Sequence, residues 1–161
     1  MNPQANPRRR LTTIVPICFA LALGLGWTWR EVAFANRLAD LVASQTVNVD
    51  KVEMKPFTYE DKLVGKVGVY VAGDTPGSSK FVTGRFVLEA GQTPHAPHTH
   101  AEEEVMVVEK GIGEIFCDGK TTKVGPGSVM YTAPNASHGI VNTGKEPLTF
   151  YFIKWATKGK D

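Results

Sequence analysis

The chain has 161 residues, of which 42% are apolar and 21% charged, and its formal net charge is +2. This composition is globular, and the length suits one domain with an appendage but not two full domains. Four arginines and one glutamate fall within residues 1–35, so the remaining chain carries a net charge of −1 and offers no basic face for nucleic acid. The only two cysteines, Cys18 and Cys117, exclude a disulfide framework or a thiolate metal cluster.

Residues 1–35 have the layout of an export signal. Three arginines precede an uncharged apolar run over residues 11–29, and Ala33-Phe34-Ala35 follows as a small-x-small cleavage site. The same run is long enough to span a bilayer as an uncleaved anchor that contacts the membrane. Both interpretations place the body outside the cytoplasm, either periplasmic or secreted, or anchored to the membrane. A buried core helix is the third alternative, but Pro16, Gly24 and Gly26 disfavour it.

A linker over residues 36–58 is expected to precede a β-rich body over residues 59–161. Short runs of β-forming residues recur there between Gly and Pro. They cover residues 63–71, 81–88, 104–108, 113–117, 129–132, 139–141 and 148–155. Asp118-Gly119 between two such runs predicts a hairpin with a tight primed turn. Strands at this spacing are typical of a sandwich or barrel.

The first histidine motif, over residues 91–111, reads Gly91-x6-His98-x-His100-x3-Glu104-x6-Gly111. Side chains on a strand alternate between faces, so the two histidines share a face, and Glu104 joins them if the strand is continuous. Glu102 has the same parity, and Glu103 lies between them. The spacing alone therefore leaves the choice of carboxylate open.

The second motif, over residues 127–142, reads Gly127-x6-Pro134-x3-His138-x3-Asn142. A strand ends at the turn-forming residues 134–137, and His138 opens the next strand. If the two strand pairs lie side by side, His138 can meet the side chains of the first motif around one ion.

Together these motifs resemble the cupin superfamily, in its single-domain type 2 form, over about residues 80–157. The first motif has six residues rather than the usual five before its first histidine, and Asn135 replaces a common glycine. The resemblance implies an all-β, double-stranded β-helix (jelly-roll) barrel. It also implies one metal ion, held by His98, His100, Glu104 and His138.

Imidazoles and a carboxylate suit divalent Fe, Mn, Ni, Cu or Zn, and the ligand types do not choose among them. Glu104 is also the candidate catalytic base, since a carboxylate beside a cation can ligate or accept a proton. We expect His95 to be a rim residue and Cys117 to be an inert thiol.

The pocket is predicted to be apolar, because Met106, Val108, Ile140 and Asn142 share the parity of the ligands and residues 150–155 add aromatics. A planar small-molecule substrate fits such a pocket. The sequence therefore predicts a metal-dependent enzyme of dioxygenase type, acting on a phenolic or enol compound, or alternatively a non-catalytic binding or sensing cupin. Tyr131, His95 and Arg85 are the candidates for a second polar group, and a homodimer is one option for assembly.

Overall fold

The computed structural model describes residues 41–159. The predicted export segment, residues 1–35, and the start of the linker lie outside the described residues. Within residues 41–159, no helix is long and apolar enough to cross a membrane.

The described chain is all-β apart from one short 3-10 helix, Val49–Lys51. Its nine strands form two antiparallel sheets, one of six strands in the order β1-β2-β3-β9-β4-β7 and one of three in the order β6-β5-β8. The strands are β1 (Lys55–Tyr59), β2 (Lys62–Gly73), β3 (Ser78–Leu88), β4 (Glu103–Lys110), β5 (Gly113–Cys117), β6 (Lys120–Val124), β7 (Val129–Thr132), β8 (His138–Asn142) and β9 (Leu148–Thr157).

All seven predicted runs are strands in the structure. The hairpin between β5 and β6 is confirmed as well, since Asp118 and Gly119 have φ angles of 47° and 81°, the two left-handed positions that a type I′ turn requires. Strand β1 was not predicted. Its five residues include Pro56, and a proline restricts a strand to the edge of a sheet, which is where β1 lies.

The core lies where the inner faces of the two sheets meet. Strand β4 shows the origin of this core, because its residues alternate between half-buried and buried positions as far as Val108. The predicted inward positions Met106, Val108, Ile140 and Asn142 are all buried. Each large apolar side chain stabilises the fold by about 1.5–3 kcal/mol through burial. The buried apolar residues are Val64, Phe86, Leu88, Met106, Val108, Ile115, Met130, Ile140, Leu148 and Phe150.

The two sheets do not close into one continuous hydrogen-bonded barrel. On the side of the histidines, an isolated bridge joins the loop before β4 to β8, and in it His98 and His138 exchange two backbone hydrogen bonds of 3.0 Å. The next hydrogen-bonded pair of such a ladder would be Ala96 and Ile140. The N–H of Ala96 instead donates to the Tyr59 hydroxyl and the carbonyl of Ile140 accepts from Thr93, so the bridge does not extend in that direction. His98 and His100 therefore lie outside β4, and the continuous strand on which the parity argument depended is absent.

Candidate metal centre and cavity

Three histidines from two chain segments converge at the bridge. His98 is held by the bridge, His100 lies in the loop before β4, and His138 is the first residue of β8. One nitrogen from each ring lies within 4.8 Å of the other two. The rings are packed with centroid separations of 4.7 to 5.3 Å.

Of the three consecutive glutamates, Glu104 is the one whose carboxylate contacts two of these imidazoles, whereas a carboxylate oxygen of Glu102 lies 3.6 Å from Nδ1 of His100 alone. Its Oε2 lies 2.9 Å from Nε2 of His100 and 3.1 Å from Nε2 of His138. Glu103 instead accepts hydrogen bonds from Tyr131 and Thr157. Glu102 pairs with Lys80 at 2.9 Å, and this hydrogen bond lowers the pKa of the Glu102 carboxyl.

Backbone carbonyls orient two of the imidazoles. Nδ1 of His100 lies 2.9 Å from the carbonyl of Glu102, and Nδ1 of His138 lies 3.0 Å from the carbonyl of Ala136. A carbonyl oxygen only accepts, so in both rings the proton sits on Nδ1. With this proton on Nδ1, the other nitrogen of each ring, Nε2, faces the carboxylate of Glu104.

An imidazole nitrogen without a proton and a carboxylate oxygen are both hydrogen-bond acceptors. The short contacts of Glu104 with the two Nε2 atoms are therefore favourable only if a proton or a cation lies between them. His138 is fully buried and Glu104 is 7% exposed, so the arrangement has little water to relieve it. A metal ion would satisfy both nitrogens and the oxygen at once.

His98 fits the same interpretation. Its Nδ1 is buried and has no hydrogen-bond partner in the described part of the chain. Burial, together with the neighbouring imidazoles of His95, His138 and His100, lowers the pKa of His98 to about 4. The ring is therefore neutral at physiological pH and keeps a lone pair for coordination. The three histidines could hold a metal ion, and the donor chemistry fits one.

A cavity of about 350 Å³ opens beside the cluster. Its size is within the range of small-molecule sites, and its walls are mainly apolar and aromatic, as predicted. Phe86 stacks on Phe150, with ring centroids 5.5 Å apart, and Phe57 packs edge-on against Phe86. The lining consists of Phe57, Val67, Val69, Val82, Phe86, Pro94, His95, His98, Glu104, Met106, Phe150, Phe152 and Lys154.

Among the three predicted second polar groups, only His95 lines this cavity. Its ring lies edge-on against that of His98, with the ring centroids 4.0 Å apart, and is not part of the three-histidine cluster. Tyr131 is 56% exposed and donates to Glu103, and Arg85 pairs with Glu109 at 2.9 Å, so neither side chain is a cavity group. Cys117 is a half-buried free thiol 3.7 Å from the carbonyl of Tyr131.

Lys154 is a cavity residue that the sequence reasoning missed. It pairs across strands with Glu104 and follows Phe150 and Phe152 at intervals of two along β9. This spacing of two was the sequence signal that could have identified Lys154, since residues two apart on a strand lie on the same face.

Comparison with known proteins agrees with this architecture. The family model described as "Cupin domain" matches residues 84–154. Residues 84–154 form a cupin domain. The predicted resemblance over about residues 80–157 is thereby confirmed, and the two histidine motifs of the cupin domain are the segments that supply the cluster.

Solved cupin-type structures share the fold at low sequence identity. An RmlC-like cupin from Shewanella frigidimarina has a TM-score of 0.57 at 14% identity, covering 72% of this chain and 94% of the other. A predicted oxalate decarboxylase from Thermotoga maritima has a TM-score of 0.55 at 21% identity, covering 70% of this chain and 99% of the other. The polyketide cyclase RemF from Streptomyces resistomycificus has a TM-score of 0.54 at 20% identity, covering 73% of this chain and 83% of the other. No curated protein matches the sequence.

Proposed function

We propose that this cupin is a metal-dependent enzyme of dioxygenase type that acts on a small planar phenolic or enol compound. One observation carries the proposal: three imidazoles cluster beside a carboxylate, and two members of this group, His98 and Glu104, line an aromatic cavity large enough for such a molecule. Fe, Mn, Ni, Cu and Zn all remain candidates for the metal.

The proposed ligands are His98, His100, Glu104 and His138. A divalent ion at this position would polarise a substrate oxygen and, if redox-active, would permit oxidation by dioxygen. The backbone carbonyls that bind Nδ1 of His100 and His138 keep both rings aimed at the site. Fixed ligands of this kind lower the cost of assembling the site.

Glu104 has a second proposed role as the base. Its carboxylate lines the cavity as well as contacting the two imidazoles, so it can reach both the ion and a bound substrate. A phenol or enol that approaches along the aromatic walls would place its acidic hydrogen within reach of this carboxylate. The apolar walls exclude water from that transfer.

A non-catalytic binding or sensing cupin is the second candidate. It is favoured by the small number of polar groups in the cavity: apart from His98 and Glu104, the described lining offers only His95 and Lys154. A sensor needs shape and a few contacts, whereas most enzymes need further acid–base groups. Two of the structures that share the fold belong to proteins named as a predicted oxalate decarboxylase and a polyketide cyclase, which supports the enzymatic alternative.

The substitution Glu104→Gln tests the enzymatic role. Glutamine keeps the size and an oxygen ligand but cannot act as a base at neutral pH. The full chain, loaded in turn with Fe, Mn, Ni, Cu and Zn, is screened for oxygen consumption and product formation with phenolic, enol and diketone compounds. We expect turnover by the wild type and a loss of about 10²-fold or more in the variant.

Metal content is measured on the same samples, so that loss of the base is separated from loss of the ion. If the metal-loaded wild type turns over none of these compounds but binds one of them tightly by calorimetry, the sensor replaces the enzyme as the conclusion.

We further propose that the cupin domain operates outside the cytoplasm, either released by cleavage after Ala35 or anchored by residues 11–29. Support comes from the arginines and the apolar run of the sequence. Cell fractionation and the mass of the isolated protein test this: a full-length protein found in the cytoplasm contradicts both forms. A homodimer stays a prediction.

A further inference from the structure

We infer that Lys154 selects an anionic substrate, so that the cavity takes a planar organic acid. The inference rests on the proposed function and names the substrate class of the same site. It starts from a charge inside an otherwise apolar chamber: among the described lining residues, Lys154 is the one permanently cationic side chain.

The position of Lys154 is fixed by the sheet. Strand β9 lies between β3 and β4, and Lys154 pairs with Val82 on one side and Glu104 on the other. Its side chain therefore projects from the same face as Phe150 and Phe152, onto the cavity beside the proposed metal centre. Because β9 is paired on both sides, the backbone of Lys154 is fixed at the cavity wall.

Lys154 has no dedicated partner. Within residues 41–159 its ammonium forms no ion pair within 4.0 Å. Glu102, whose pKa is lowered mainly by its hydrogen bond to Lys80 and also by the charge of Lys154, pairs directly with Lys80, and Glu104 contacts His100 and His138. A half-buried lysine at a cavity wall, with no ion-pair partner in the described residues, favours a bound anion, because the ligand supplies the missing charge.

The metal strengthens this preference. Once Glu104 faces a divalent ion, its negative charge no longer compensates Lys154, and the cavity carries excess positive charge. The aromatic rings then select a flat body, and the ammonium selects a carboxylate or an enolate attached to it.

Calorimetry with benzoate and benzamide tests the inference, since the two probes have the same shape but differ in charge. The full chain is loaded with zinc, which is redox-inert, and metal content is measured in each sample. We expect Lys154→Met to weaken benzoate binding about tenfold or more and to leave benzamide binding unchanged. Lys123→Met, which removes an exposed lysine of β6 outside the cavity, is the matched control and should change neither.

The ion itself can attract benzoate, but that contribution is present in the wild type and in both variants. If Lys154→Met leaves the preference for benzoate over benzamide intact, the metal alone recognises the anion and the inference is wrong. An equal loss for both probes, accompanied by a lower melting temperature, means that Lys154 is only part of the wall and also overturns it. A sample that retains no zinc contradicts the proposed metal centre, and the same comparison of probes on that protein still tests Lys154.

Discussion

His138 is the residue on which the metal centre depends most. It is fully buried, its Nδ1 is fixed by the carbonyl of Ala136, and its backbone forms the bridge to His98. One side chain thus supplies a nitrogen donor from a position that the fold holds rigidly. His95 is the matched control for His138, because its imidazole lies beside the cluster but is not one of the three members.

We expect His138→Ala to lose metal and His95→Ala to keep it. Removing a ligand costs more than the roughly 10–100-fold in affinity that is usual for a supporting residue, so the bound metal should fall to a small fraction. Elemental analysis after extensive dialysis measures this. Circular dichroism checks that the buried void in His138→Ala leaves the fold intact, and His100→Ala, at a less buried position, repeats the test. Equal loss in His95→Ala and His138→Ala would show that the ligand assignment is wrong.

At the scale of elements, β9 organises the site. It lies between β3 and β4 in the larger sheet, and its inward residues form a row from Phe150 through Phe152 to Lys154. Because β4 pairs with β9 in register, Glu104 and Lys154 stand opposite each other. The carboxylate proposed for the metal and the ammonium proposed for the substrate are therefore placed by the same pair of strands.

The β5–β6 hairpin provides a test of the local fold. Gly119 has a φ of 81°, and a Cβ there would meet nothing within 4 Å, so Gly119→Ala adds backbone strain without a clash. We expect a loss of about 1–2 kcal/mol in the free energy of unfolding, measured in urea. Gly77→Ala is the control, since Gly77 also faces open space but lacks a positive φ. A loss at Gly77 as large as that at Gly119 would contradict the turn assignment.

At the scale of the whole molecule, the sequence predicted the fold better than the site. The strands followed from local alternation and turn chemistry, as Asp118-Gly119 shows, and the histidines were identified by their spacing. The choice among Glu102, Glu103 and Glu104 could not be made from spacing, because the chain before β4 is a loop and parity does not pass through it. The resemblance to cupins, rather than parity, pointed to Glu104.

Lys154 and β1 illustrate two further limits. The importance of Lys154 depends on its pairing with Glu104, a contact between residues fifty positions apart that no local pattern contains. Strand β1 is short and includes Pro56, so its identity as a strand is set by β2 beside it rather than by its own sequence.

The metal content of the full-length protein, isolated without added metal, tests the central claim most directly. The three clustered imidazoles and the short contacts of His100 and His138 with Glu104 fit a bound metal ion. The account predicts about one divalent transition metal ion per chain by elemental analysis. A metal-free protein that also resists reloading with Fe, Mn, Ni, Cu and Zn would contradict it.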